Sequence, residues 1–423
     1  MDLKEEATGL VGWSADDETV EMSLLEGGLT GKTYGLRRSG PDPMAFVVRK
    51  LEPAEAGHFE RTSRVLAAAG VAPTVVAASN SLLITEFVMD GHAATVAALG
   101  GVGTQGCAAV EAVGRAVGRL HALPPGATGM DARNDLAFWL AKAEAAGAGT
   151  EASLGPEVAA RLRAEVAAAA VATPPAAAGT GEASALAAAL VTAHGDLHPG
   201  NIILRPGSGA PPASADEGTP TATIPTAPPT AILVDLEHCG PRPAGEDLAY
   251  LFAVWGDLFY LAGFAPSPGA PCPYPSLAAR RSFAGAYLQA RKAAAAADAA
   301  AAPASGAPEP APEEVDALLL EVEARFARGQ RLRLMALWAL IARGDSKNFM
   351  AGAVASFLPH LAMSTALLTE AEAETEAQAG AQRAQGNSAG AGGGVCGDIL
   401  RRGLIVVAAE RAAAAAAAET KAP

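Results

Sequence analysis

Two acids and an amide in this chain have the types and spacing to do chemistry together: Asp196, Asn201 five positions on, and Asp235 beyond a low-complexity run. The first two lie in His194-Gly195-Asp196-Leu197-His198-Pro199-Gly200-Asn201, the third in Val234-Asp235-Leu236-Glu237. Transfer of a nucleotide's terminal phosphoryl group to a hydroxyl needs such a set. One carboxylate orients the hydroxyl and accepts its proton, and two oxygen ligands hold magnesium against the phosphates. Asp196 is the candidate base, with Asn201 and Asp235 the candidate magnesium ligands. His194 and His198 are expected to fix the loop by hydrogen bonds, because a neutral imidazole suits hard Mg²⁺ poorly.

The elements that must position these residues follow from local pattern. Apolar residues 202–204 predict a strand directly after the loop, and 232–234 predict one that delivers Asp235. Between them, 206–230 is rich in Pro, Ala, Ser, Thr and Gly and cannot bury enough apolar surface to order itself. It is predicted to be a disordered insertion in a hairpin, whose removal leaves strand, turn, strand and Asp235. Upstream, 18–25 and 32–38 predict two strands joined by Glu26-Gly27-Gly28-Leu29-Thr30-Gly31, and 45–51 predicts a third. Residues 53–69 predict a helix, with Pro53 near its start and Gly70 just past its end. Short apolar runs follow around 74–76 and 82–85, then a connector, Glu86-Phe87-Val88-Met89-Asp90-Gly91. Residues 108–123 have helical apolar spacing and stop at Pro124-Pro125. A helix-like stretch, 312–368, contains Trp338 and Asp345. The alanine- and proline-rich runs near 293–313, 378–394 and 412–418 are taken as expansions. The fold class expected is α+β, with a small antiparallel β lobe over 1–88, a larger mostly helical lobe over 89–370 and a low-complexity tail over 371–423.

The glycine-rich turn fails as a Walker A loop by one position, since Glu26 stands where a glycine is required and a strand follows instead of a helix. Between two strands it suits a loop whose backbone N–H groups cover phosphates. Gly28, Leu29 and Thr30 are its candidate nucleotide-binding residues, and Lys32 is expected to be solvated.

The D-x-x-x-x-N spacing from Asp196 to Asn201 is that of the protein-kinase catalytic loop. With His194-Gly195-Asp196 and the continuation to Asn201, the run resembles the aminoglycoside phosphotransferase and choline kinase superfamily, closest in flavour to choline/ethanolamine or thiamine kinase-like members. The resemblance implies a two-lobed protein-kinase-like fold, ATP, Mg²⁺ and a small-molecule hydroxyl as acceptor. Phe46-Val47-Val48-Arg49 falls where kinases place a phosphate-binding lysine, and choline and thiamine kinase-like members are similar in using arginine. A guanidinium can grip phosphate oxygens in bidentate fashion. The resemblance implies an acid on the next helix as the partner of Arg49, either Glu60 or Glu55. Glu86 to Val88 resembles the family's hinge, where backbone groups near Val88 would bond adenine. Glu237 resembles the acid of the family's Asp-aromatic-Glu segment, which would touch metal or substrate, although Leu236 and His238 replace the flanking aromatics. Asp247 matches an element expected to brace the catalytic loop.

Bulk properties narrow the partners. The net charge of −14 disfavours nucleic acid and anionic membranes, which attract basic surfaces, and is compatible with a cationic small substrate. Cys107, Cys239, Cys272 and Cys396 are scattered without metal-ligand spacing, as expected of reduced thiols. The acidic N-terminus lacks the features of a signal or transit peptide, and no apolar stretch is suited to span a bilayer. A cytoplasmic protein is therefore expected. Tyr250, Trp255, Tyr260 and Trp338 are either core or aromatic faces for a quaternary ammonium group. Choline, ethanolamine or a thiamine-like alcohol is the first acceptor class, with an aminoglycoside or sugar as the alternative. A non-catalytic nucleotide-binding scaffold and a protein kinase are the remaining readings, the latter disfavoured because no A-P-E segment follows Asp235.

Overall fold

The computed structural model describes residues 2–25, 33–40, 44–88, 91–94, 104–129, 186, 189–207, 227–255, 275–299 and 309–327. Contacts divide the chain into two compact units. The first comprises Met1–Asp131, Val191–Pro241 and Ser282–Pro310, and the second Ala132–Leu190, Arg242–Arg281 and Ala311–Pro423.

The first unit is built on an antiparallel sheet of β1 (Val20–Leu24), β2 (Thr33–Arg38), β3 (Met44–Lys50), β4 (Val75–Ala78) and β5 (Leu82–Glu86), in the order β1-β2-β3-β5-β4. Alternation along β3 decides which side chain meets which helix. Phe46 and Val48 point to one face, where they join Val20, Leu36, Leu82 and Ile84 beneath Ala7 of helix α1 (Leu3–Leu10). Trp13 closes that cluster over Phe46, with ring centroids 5.0 Å apart. Arg49, one step on, turns to the opposite face. Helix α2 (Pro53–Ala68) covers that side, packing Ala56 and Phe59 on Leu51, Val75 and Leu83. Proline opens α2 and Gly70 ends it at φ +66°, the left-handed conformation that a side chain resists. These strands and α2 agree with expectation to within one or two residues.

Helix α1 was not expected. Its start is marked by Glu5, whose carboxylate accepts the backbone N–H of Asp2 at 3.3 Å. Glu6 then takes the hydroxyls of Ser79 and Ser81, and these hydrogen bonds hold its carboxyl below the ordinary range.

A three-stranded antiparallel sheet carries the loop expected to be catalytic: β6 (His92–Ala93), β8 (Ile202–Arg205) and β9 (Thr230–Leu233), ordered β6-β8-β9, with β7 (Leu190–Ala193) lying between β6 and β8 in the chain. Ile202 stands opposite Leu233 and Arg205 opposite Thr230, so β8 and β9 form the expected hairpin stem. Gly207 and Ala227 approach so closely beyond it that a Cβ on Gly207 would strike the Ala227 carbonyl. The rest of the expected insertion, 208–226, lies outside the described residues.

Helix α3 (Thr104–Ala122) packs on β8 and β9. Its Gly114 and Gly118 lie against the backbone of Phe283 and Tyr287. Those residues belong to helix α5 (Leu277–Ala299), which enters the first unit from Ser282 onward. The alanine run from 293, expected as an expansion, is helical as far as 299: alanine is the best helix former and simply prolongs α5.

In the second unit α4 (Ala244–Val254) packs on α6 (Pro312–Ala327), burying Leu248, Leu251 and Phe252 on one side and Leu318, Leu319 and Val322 on the other. The remainder of the helix-like stretch to 368 lies outside the described residues. The α+β class with an antiparallel β-rich start is the one expected. Among the described residues no helix is long and apolar enough to cross a membrane.

Candidate active site

Strand β7 ends at Ala193 and delivers His194 fully buried at the head of the loop. Gly195 at φ +82° turns the chain so that Asp196 emerges with a third of its side chain exposed. The Asp196 N–H donates to His194 Nδ1 at 3.3 Å, while His194 Nε2 sits 2.9 Å from the Val234 carbonyl. With Nδ1 accepting, the proton lies on Nε2 and is donated to Val234, so the imidazole is neutral.

His198 starts the short 3-10 turn Pro199–Asn201, its Nδ1 accepting the Gly200 N–H at 3.1 Å. Its Nε2 then faces the carboxylate of Asp196, 3.6 Å from Oδ2. Burial pushes the His198 pKa below its ordinary value, outweighing the opposing pull of Asp196.

The turn places Asn201 against Asp196. Its amide Nδ2 donates to the Asp196 carbonyl at 3.0 Å and to Oδ2 at 3.3 Å. The Asn201 carbonyl meanwhile receives the Val234 N–H at 3.0 Å, so Val234 is held through both its N–H and its C=O by the two ends of the loop. Asp235 follows at φ 60°, ψ 59° and is the one non-glycine residue with positive φ among the described residues. Such a conformation is costly for a side chain and is sustained only where the surroundings fix it.

Arg49 supplies part of that fixing. Its Nη1 donates to Asp235 Oδ1 at 2.6 Å and its Nη2 to Glu237 Oε2, while its Cζ lies 5.0 Å from the centre of the Phe59 ring. Glu237 Oε1 is also 3.3 Å from His238 Nε2. The expectation that Arg49 pairs with Glu60 is corrected. Glu60 pairs with Arg64 one turn along α2 at 2.9 Å, because Phe59 takes the face of α2 turned to Arg49 and the next residue is rotated about 100° away. The Glu55 side chain lies outside the described residues.

The connector after β5 is tight. Val88 is buried, its carbonyl accepts the Gly91 N–H at 3.2 Å, and a Cβ on Gly91 would strike Ile203 and Val88. Glu86 lies 3.8 Å from Arg205 on β8. Gly28, Leu29, Thr30, Tyr260 and Trp338 lie outside the described residues. Tyr250 and Trp255 are buried in the second unit, the core alternative for these two. Asp247 is fully buried in the first turn of α4.

The donor set suits magnesium. Asn201, bonded through Nδ2, leaves Oδ1 as an oxygen donor, and Asp235, bonded through Oδ1, leaves Oδ2. Mg²⁺ takes one or two such hard oxygens and fills its remaining positions with water and phosphate oxygens. Sequence reasoning missed that Arg49, Asp235 and Glu237 form one cluster; a contact between β3 and a turn so distant in the chain leaves no trace in local spacing.

Comparison with known proteins agrees with the superfamily expected from the sequence. Residues 21–211 match the model of the phosphotransferase enzyme family. The structure is similar to that of an ethanolamine kinase from Plasmodium vivax, which is 14% identical, with 82% of this chain and 83% of that one covered and a TM-score of 0.53. It is also similar to a choline kinase from Cryptosporidium parvum Iowa II, 17% identical, with 84% and 92% covered and a TM-score of 0.55. At these identities the likeness is one of fold, the kinase-like fold. A search of curated proteins returned no match.

Proposed function

We infer, from the match of residues 21–211 to the model of the phosphotransferase enzyme family, that this chain transfers the γ-phosphoryl group of ATP to a hydroxyl of a small molecule. The observation that carries the reading is the joining of the two motif segments at Val234, which places Asp196 and Asn201 beside the turn bearing Asp235. In the proposed reaction the acceptor oxygen forms a bond to the γ-phosphorus as the bond to the β–γ bridging oxygen breaks. ADP leaves, and the acceptor proton passes to the Asp196 carboxylate. Asn201 and Asp235 would hold magnesium, which neutralises charge on the phosphates when bound. Arg49 steadies the phosphates, the backbone at Gly28, Leu29 and Thr30 covers them, and backbone groups of Glu86 and Val88 receive the purine. Residues 1–88 form the nucleotide lobe in this reading. Positioning and charge supply most of the catalysis.

Choline, ethanolamine or a thiamine-like alcohol is the acceptor class we propose first, supported by Arg49 at its strand position and by the acidic balance. The second is an aminoglycoside or sugar. One observation favours it: Glu237, the acid that would meet a cationic alcohol, is only 16% exposed and already paired with Arg49. An ADP-release assay across choline, ethanolamine, thiamine, aminoglycosides and simple sugars tests both. Intact ATP binding without turnover on any alcohol would overturn the enzyme reading in favour of a nucleotide-binding scaffold.

A further inference from the structure

Arg49 is enclosed on three sides by groups that leave it little freedom. Asp235 takes one terminal nitrogen, Glu237 takes the other, and the Phe59 ring lies against Cζ, its centre 5.0 Å away, leaving the side chain 17% exposed. The two acids are not equivalent. Asp235 is the more exposed at 37%, and its backbone is left-handed. Glu237, at 16%, lies in the 3-10 turn Leu236–His238 with its second oxygen beside His238. Helix α2 faces this cluster with an aromatic ring, and its nearest described acid, Glu60, is spent on Arg64 at the surface. No described carboxylate of α2 is thus available to aim the cation.

We propose that Glu237 is the positioning residue for Arg49: it anchors the guanidinium from the same turn that presents Asp235. This rests on the reading of the chain as a nucleotide phosphotransferase and gives Glu237 a task distinct from touching metal or acceptor. The anchor keeps one nitrogen of Arg49 fixed, so that the other can exchange Asp235 for a phosphate oxygen without the side chain swinging away. Phe59 holds the guanidinium against α2 while that exchange takes place.

The test is a thermodynamic cycle on the full chain with Glu237→Gln, Arg49→Gln and the double variant, read by calorimetric titration with ATP and Mg²⁺. If Glu237 acts through Arg49, Glu237→Gln weakens ATP binding by about tenfold in the native background and not at all once Arg49 is glutamine. Glu237→Asp, which keeps the charge, recovers part of the loss. Acceptor KM and the magnesium concentration at half-saturation stay near native. The proposal is overturned if the Glu237→Gln loss persists undiminished beside Arg49→Gln, or if ATP affinity is unchanged while acceptor KM or magnesium demand rises. Should the native chain bind no nucleotide, the phosphotransferase reading fails, and the same four proteins are compared in thermal unfolding. Non-additive shifts of the midpoint then sustain the anchoring pair, and additive ones refute it.

Discussion

His194 bonds the carbonyl of Val234 through Nε2 at 2.9 Å while its Nδ1 receives the N–H of Asp196, so one buried ring fastens both motif segments. Neither bond needs a charged imidazole. Removing the ring leaves the Val234 carbonyl and the Asp196 N–H short of partners in a buried place, at a cost of about 1–3 kcal/mol. His194→Ala should therefore lower the urea midpoint and, on the proposed reaction, reduce kcat by about 100-fold through loss of alignment. ATP affinity should change far less, because the ring lies behind the loop. An unchanged kcat would show that the loop keeps its shape without this bridge.

Asp196→Asn preserves shape and removes the proton acceptor. Its kcat should fall by about 10²- to 10⁴-fold, the range typical of a positioned general base, while ATP binding stays near native. The pair of measurements matters. Loss of both together would place Asp196 in nucleotide or metal binding instead.

Asn201→Ala and Asp235→Asn remove the two proposed magnesium ligands. Each should raise the magnesium concentration needed for half-maximal rate. Asp235→Asn should have a second effect visible without magnesium. Removal of its charge leaves Arg49 facing only Glu237, so binding of ATP in the presence of a chelator should tighten. A weakened chelator-state affinity would count against competition between Asp235 and phosphate for Arg49.

His198 provides a pH test. Its folded pKa is lowered by burial, so the native state disfavours the imidazolium and the unfolded chain, titrating near 6.5, takes the proton first. The stability that follows from keeping His198 neutral is present above about pH 6.5 and is lost as pH falls through the depressed folded value. His198→Asn should flatten that part of the stability profile below about pH 6.5 and leave the profile above it parallel to native. If both proteins show the same slope, other groups carry the titration.

How far the sequence revealed these features depends on how local each one is. The loop from His194 to Asn201 closes on itself through neighbours two to five residues apart, so its spacing alone exposed it. The end of α2 was legible for a similar reason, since Gly70 needs only the turn around it. Arg49 was legible as a strand position but not by its partners: Asp235 and Glu237 lie 186 and 188 residues away, where no local pattern reports contact. The expectation of Glu60 assumed that α2 turns an acid inward, whereas Phe59 gains more from burial on Leu83 and the sheet. Helix α1 went unseen because the acidic start was weighed only as a targeting segment, and the alanine end of α5 because its run was taken as an expansion. Helical propensity prevails in both once α1 has a sheet to cover and α5 a helix to extend.

The approach of α3 to α5 yields a last prediction with opposite signs at two glycines. A Cβ on Gly118 would stand 2.5 Å from the Tyr287 carbonyl oxygen and 3.0 Å from the Ala290 Cβ, and one on Gly114 would stand 2.5 Å from the Phe283 carbonyl oxygen. Backbone cannot give way as a side chain can, so the helices must separate. That separation strains the buried bond between Tyr287 and His121, now 3.1 Å. Gly118→Ala should cost about 1–3 kcal/mol despite alanine's better helical propensity. Gly285, on α5 itself, has nothing within 4 Å of its would-be Cβ. There the same substitution should stabilise by about 0.5–1 kcal/mol through propensity alone. Urea unfolding of both variants, with the slope unchanged, reads the difference directly; a stabilised Gly118→Ala would mean that the two helices are not held at this distance.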